Sequence, residues 1–121
     1  MKYILLVVVL LLTGCFNKEI AYSHNKEKYY QVKLCKKLDG KMEYRLSDKT
    51  RVDCLTDTYA IEVDWAKKWA EGIGQSLYYA QMTGKYPAVA LIVTKKDNRF
   101  KKRLQKVANK YNIKIFFIDK E

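Results

Sequence analysis

The apolar positions of this chain change their period along its length, and each change marks an element. From Lys26 to Leu38, Tyr30, Leu34, Cys35 and Leu38 recur at helical spacing, and Asp39-Gly40 ends the run. Met42 to Leu46 alternates as a strand. Ser47-Asp48-Lys49-Thr50 turns the chain, and Arg51 to Leu55 alternates again, so the pair predicts a hairpin. Thr56-Asp57-Thr58 leads into a third strand, Tyr59 to Asp64. Residues 66 to 82 return to helical spacing, with Trp69, Ile73, Leu77 and Ala80 on one stripe, stopped by Gly84 and Pro87. Val89 to Val93 is continuously apolar, as in a strand covered on both faces. Asp97 is placed to cap a last helix through Phe100, Leu104, Val107 and Tyr111; Asn112 ends it, and Ile113 to Ile118 forms a final strand. The order α-β-β-β-α-β-α-β predicts an α/β domain with a mixed sheet, its late strands parallel through right-handed crossovers.

Ahead of this domain stands a different pattern. Lys2 is followed by nine apolar residues, Ile4 to Leu12, too few for a bilayer core that needs about 20. This predicts a secretory leader rather than part of the fold. Leu12-Thr13-Gly14-Cys15 resembles the bacterial lipobox, which implies a signal peptide over 1–14, lipidation of Cys15 and attachment to a membrane. Phe16 in place of Asp favours, by the same resemblance, the outer membrane facing the periplasm over the inner one. Residues 15–25 are polar and aperiodic, as expected of a tether, and 26–121 form a single domain.

In an oxidising compartment Cys35 and Cys54 are expected to pair, closing a loop of about 20 residues worth roughly 3 kcal/mol; two buried thiols are the plainer alternative. The formal charge is +11, which favours polyanions (nucleic acid, anionic lipid or lipopolysaccharide) without choosing among them. The lone His24 falls in the tether, so the domain has no obvious histidine base.

The unusual chemistry lies in the middle strands. Strand alternation places Asp53 opposite Cys54, and turns Glu62 and Asp64 together, away from Ile61 and Val63. If the strands are neighbours, Asp53 and Glu62 meet. Two converging carboxylates repel unless a cation or a retained proton relieves them, and such an oxygen-rich pair suits Mg²⁺.

Residues Tyr29 to Val93 resemble the PD-(D/E)XK nuclease superfamily, whose core is an α-β-β-β-α-β unit with an Asp and then Glu-x-Lys on successive strands. Arg51-Val-Asp53 and Ile61-Glu62-Val63 match the metal-binding positions, the Val63 carbonyl included, and Glu43 matches an upstream acid of some members. Gln75-x-x-x-Tyr79 resembles a substrate-positioning motif of nuclease domains attached to recombination helicases. The resemblance implies a restriction-endonuclease-like fold with an added helix and strand, Mg²⁺ or Mn²⁺ as cofactor, no organic cofactor, and hydrolysis of DNA phosphodiesters. It departs at Asp64, where the motif has Lys. On one helical stripe with Glu71, Gln75 and Tyr79, Lys68 is the replacement expected.

Plainer readings stand beside these. Asp53 pairs with Arg51 or Lys49, and Glu62 with Lys68, in a fold that binds a polyanion or protein partner without cutting. Lys95 to Lys110, eight cations against Asp97, is a phosphate-contacting patch or a solvated face. Trp65 and Trp69 stack bases or, more simply, pack in the core. Gly72 and Gly74 mark either a close approach of the helix to the sheet or a loose helix.

Overall fold

The computed structural model describes residues 23–121; the leader, Cys15 and most of the expected tether lie outside the described residues. The elements are α1 (Glu27–Lys37), β1 (Lys41–Arg45), β2 (Arg51–Leu55), β3 (Tyr59–Trp65), α2 (Trp69–Thr83), β4 (Tyr86–Val93), α3 (Asn98–Tyr111) and β5 (Lys114–Asp119). Their order is the one the periodicity predicts. The five strands form one sheet in the order β1-β2-β3-β4-β5. β1, β2 and β3 pair antiparallel, while β3, β4 and β5 pair parallel. The chain is therefore mixed α/β.

Alternation along β3 and β4 divides the core into two. Ile61, Val63, Ala88, Ala90 and Ile92 point to the α1 side, where Tyr30 and the two cysteines meet them. Val89, Leu91 and Val93 point the other way, against Leu104 and Ala108 of α3 and against Trp69 and Ile73 of α2. β4 is buried on both faces because helices cover both, which explains its unbroken apolar run. Trp65 joins the first cluster and Trp69 the second, so both tryptophans pack in the core.

Four details differ from the expectation, each for a local reason. β4 begins at Tyr86, so Pro87 lies inside a central strand. This is tolerated because the ladder to β5 starts only at Ala88, so no partner on that side needs a donor from residue 87. The helix expected from residue 66 opens with a 3₁₀ turn, Ala66–Lys68, before α2 proper. Asp97 does not cap α3 with its side chain; its Oδ2 accepts the Thr94 N–H at 2.8 Å and the Thr94 hydroxyl at 3.0 Å, closing the loop before the helix. His24 and Asn25, expected in the tether, are held against the fold: Tyr30 donates to the His24 carbonyl at 2.7 Å, and Lys120 to Asn25 Oδ1 at 3.4 Å.

Cys35 of α1 and Cys54 of β2 form a disulfide with a Cα–Cα separation of 5.6 Å, tying the helix to the hairpin. Gly40, between them in sequence, is required by this bridge. A Cβ there would lie 2.4 Å from Cys54 Sγ and 2.8 Å from Cys35 Sγ, a clash with a cross-link that cannot move aside.

Replacing both bridging cysteines by alanine is expected to cost about 3 kcal/mol in urea denaturation, the loop-closure contribution of a bridge this long. Gly74, exposed on α2 with open space where a Cβ would go, should behave in the opposite sense. Gly74→Ala is expected to stabilise by up to about 1 kcal/mol in the same measurement, through helix propensity alone.

Candidate functional site

The strand ladders have a gap at Asp53, though the β1–β2 register is the same on either side of it. Between β1 and β2 the pairing steps from Met42↔Cys54 to Tyr44↔Val52, and between β2 and β3 only Cys54↔Ile61 and Leu55↔Ala60 are paired. Side chains occupy the gap. The Val63 N–H donates to Asp53 Oδ2 at 2.9 Å, the Asp53 N–H makes a long bond to Glu62 Oε1 at 3.4 Å, and Gln31 Nε2 donates to the Asp53 carbonyl at 2.8 Å. Glu43, facing Asp53 across the hairpin, sits at φ 51°, a left-handed conformation unusual for a residue with a Cβ. Simple alternation fails here as a result. Cys54 packs on the α1 side, yet Val52, two residues away, packs with Ala60 and Tyr79 on the other. The departure of β2 from β3 is what opens space beside the carboxylates.

Glu62 and Asp64 are 4% and 6% exposed, far below what isolated carboxylates tolerate. Their cover is α2. A Cβ on Gly72 would come within 3.0 Å of Asp64 Oδ2 and 3.3 Å of Val89, so Gly72 is the close approach its sequence position suggested, whereas Gly74 is not. Asp64 Oδ2 is buried with no hydrogen-bond partner. Burial, followed by the neighbouring Asp53 charge, pushes the Glu62 carboxyl up to about 9. Burial, with Glu27, Asp53 and Glu71 nearby, pushes Asp64 up to about 7. Burial and the charge of Asp53 also raise Glu27. Glu43 is different: burial works against its charge, but hydrogen bonds from Lys28 and Gln31 hold its carboxyl below the usual range. Tyr79 is raised by burial and by the Glu62 and Asp53 charges.

Of these groups Glu27, Glu43, Asp53 and Tyr79 border a groove of about 630 Å³, whereas Glu62 and Asp64 are buried and do not line it. Glu27 and Gln31 of α1, Glu43 of β1, Asp53 of β2 and Tyr79 of α2 form its inner wall. Lys26, Lys28, Lys49 and Arg51 line it as well, setting ammonium and guanidinium groups around the acids. The groove therefore sets three carboxyl groups, those of Glu27, Glu43 and Asp53, among four cationic side chains.

The structure brings together Asp53, Glu62, Glu43 and Tyr79. Val63 contributes its amide to Asp53. Gln75 is half-buried one turn before Tyr79 and does not line the groove. Lys68 ends the 3₁₀ turn rather than continuing the helical stripe, and it is exposed. Its charge still favours ionised Glu27 and Asp64. Among the described residues, Asp53 has no ion pair with Arg51 or Lys49, nor Glu62 with Lys68; Arg51 lies instead 3.7 Å from Glu43. The plain salt-bridge reading of these acids therefore has no partner for them.

Two functional residues escaped the sequence reading. Glu27 looks like an ordinary first-turn acid and Gln31 like a surface position, but they sit four apart on one helical face, a spacing that could have linked them. Among the described residues no three His, Cys, Asp or Glu side chains converge in a shape that would hold a metal ion unaided. Asp53 and Glu62 are the carboxyl groups that would remain for a Mg²⁺-like ion, whose other positions water or a ligand would have to fill. Comparison with known proteins finds no matching family model, no similar curated protein and no similar solved structure.

The buried acids predict an inverted pH dependence. A carboxyl whose folded pKa lies above its unfolded value contributes stability at low pH, and that stability is lost as pH rises through the folded value. For Glu62 and Asp64 the loss falls between about 4 and 9. The melting temperature is expected to fall from pH 5 to pH 9 without divalent ions, and Glu62→Gln should flatten the slope. A melting temperature that rises through this window would contradict the burial of these charges.

Proposed function

We propose that this chain is a divalent-metal-dependent, nuclease-like domain that takes a phosphodiester strand in the groove between α1 and the β1–β2 hairpin. The observation that carries the reading is the convergence of Asp53 and Glu62 from adjoining strands: Asp53 lines that groove, and Glu62 is buried beside it with its carboxyl pushed up to about 9 by burial and the Asp53 charge, so that the pair holds a proton whose place a cation would take. The element order α-β-β-β-α-β supports it, being the core that the PD-(D/E)XK resemblance implies for a restriction-endonuclease-like fold.

Asp53 and Glu62 would hold Mg²⁺ or Mn²⁺, with the Val63 carbonyl beside them. When bound, such an ion polarises a phosphoryl oxygen and lowers the pKa of an attacking water. The chain's own residues do the rest. The Val63 N–H fixes the Asp53 carboxylate, Gln31 fixes the Asp53 backbone, and Lys28 with Gln31 keeps Glu43 ionised. Lys26, Lys49 and Arg51 bind the flanking phosphates as point charges and a fork. Tyr79 borders the strand's path, with Gln75 a turn away. Lys68, expected to stabilise the developing charge, is exposed at the end of the 3₁₀ turn and does not line the groove, so it has no part in this reading. Lipid attachment at Cys15 would place this activity at the cell envelope.

Asp64 favours a second reading. It stands buried and unpartnered where the motif has an ammonium group, so the same groove would bind a polyanion without cutting it.

The two readings separate in one experiment. The full chain is incubated with linear and with circular DNA in Mg²⁺ or Mn²⁺, beside an Asp53→Ala/Glu62→Ala variant. Wild type is expected to degrade DNA and the variant to leave it intact, with chelator abolishing the difference. Intact DNA in both, with equal binding, ends the catalytic reading. Mn²⁺ is expected to raise the melting temperature of wild type alone under the metal reading, and of neither protein under the second, which binds its polyanion without metal.

A further inference from the structure

We propose that the outer face of α3 is a docking surface for an anionic phospholipid bilayer, separate from the groove. Between residues 95 and 114 nine Lys or Arg accompany a single acid, so this segment supplies +8 of the chain's +11. The apolar side of α3, around Leu104 and Ala108, is spent on the sheet. Arg99, Lys102, Arg103, Lys106 and Lys110, spaced by three and four residues, all face solvent. Among the described residues none of the ion pairs involves a cation of this stripe. Uncompensated like charges along one helix repel one another, and an anionic surface relieves that repulsion.

The partner is argued from which cations are free and where they stand. Both guanidinium groups lie over the Phe100 ring, Arg99 at 4.6 Å and Arg103 at 5.8 Å. Lys110 lies 5.8 Å from the Tyr111 ring, which leaves Lys102 and Lys106 as ammonium groups over no ring, point charges suited to a diffuse anionic surface rather than to bidentate reading of phosphates or bases. Phe100 is covered by the two guanidinium groups and Tyr111 stands at the last residue of α3, so no aromatic lies open between these lysines to stack bases. α3 covers the sheet face opposite α1, so a ligand seated against α1 in the groove does not neutralise it.

Position points the same way. The described chain starts beside the C-terminal end of β5, where His24 lies 3.8 Å from Glu121, and the Lys120 N–H donates to the Val93 carbonyl at the end of β4, just before α3 begins. Cys15 is eight residues before Ser23. At roughly 3.6 Å per residue a lipid there would keep a bilayer within about 29 Å of this end of the domain. This last argument rests on the lipobox reading; the charge argument does not. One acyl anchor with one polybasic face is the pair of signals that stable membrane attachment requires.

The test mixes the full chain with vesicles of phosphatidylcholine alone, or of phosphatidylcholine with phosphatidylglycerol, and follows sedimentation and the acetylation rate of Lys102, Lys106 and Lys110 by mass spectrometry. Those lysines are expected to be protected only on the anionic vesicles, and protection should vanish at high salt. Replacing each lysine by alanine is expected to lower the added partitioning about fivefold, and replacing all three about a hundredfold. Sedimentation with the neutral vesicles reports the acyl anchor by itself; its loss would overturn the lipid reading and leave the α3 result standing. Equal acetylation on both vesicle types overturns the proposal, as does protection by an added DNA duplex in place of the anionic vesicles.

Discussion

One hydrogen bond decides the character of this molecule: the Val63 amide donates to the Asp53 carboxylate instead of to a strand carbonyl. A side chain thereby stands in for a rung of the β2–β3 ladder, and the strands separate. The opening leaves Asp53 on a groove whose other walls come from α1, α2 and the β1–β2 hairpin, while Glu62 stays buried beneath α2. The left-handed Glu43 and the broken alternation at Val52 are consequences of the same departure.

Such a centre is costly to fold, since burial raises Glu62 and Asp64 far above ordinary carboxylates and Asp64 Oδ2 is left unpartnered. The surroundings oppose that cost. β3 and β4 pair over seven residues, and β4 is covered on both faces by apolar side chains. The disulfide joins α1 to β2 immediately next to Asp53, holding the two elements that build the groove in fixed relation. Gly40 and Gly72 permit the two closest approaches, one to the bridge and one to Asp64. Rigidity is concentrated where like charges would otherwise push the structure apart.

Charge is also segregated across the sheet. The acids gather near the centre of the sheet under α2, while most of the net positive charge lies on α3 at the far edge. Were the cations interleaved with the acids, short ion pairs would cancel both fields. On α3 no such pair forms among the described residues, and in the groove only Glu43 has one, with Lys28 and Arg51.

Much of this was legible along the chain because it is periodic. The order of eight elements, the parallel late strands, the two-sided burial of β4, the core placement of both tryptophans and the pairing of Cys35 with Cys54 follow from local spacing and oxidation chemistry. The neighbouring of Asp53 and Glu62 also followed, since a hairpin and a short turn leave β2 and β3 little choice but to pair. What periodicity cannot carry is any interaction that breaks it. The irregularity at Asp53, the entry of Glu27 and Gln31 from α1, the 3₁₀ turn that carries Lys68 away from the helical stripe, and the burial of Asp64 under Gly72 all depend on elements distant in sequence arriving at one place. The sequence by itself determined which residues form strands and helices and which faces are apolar; the tertiary structure alone decided which acids lose their water, because desolvation depends on what packs above them.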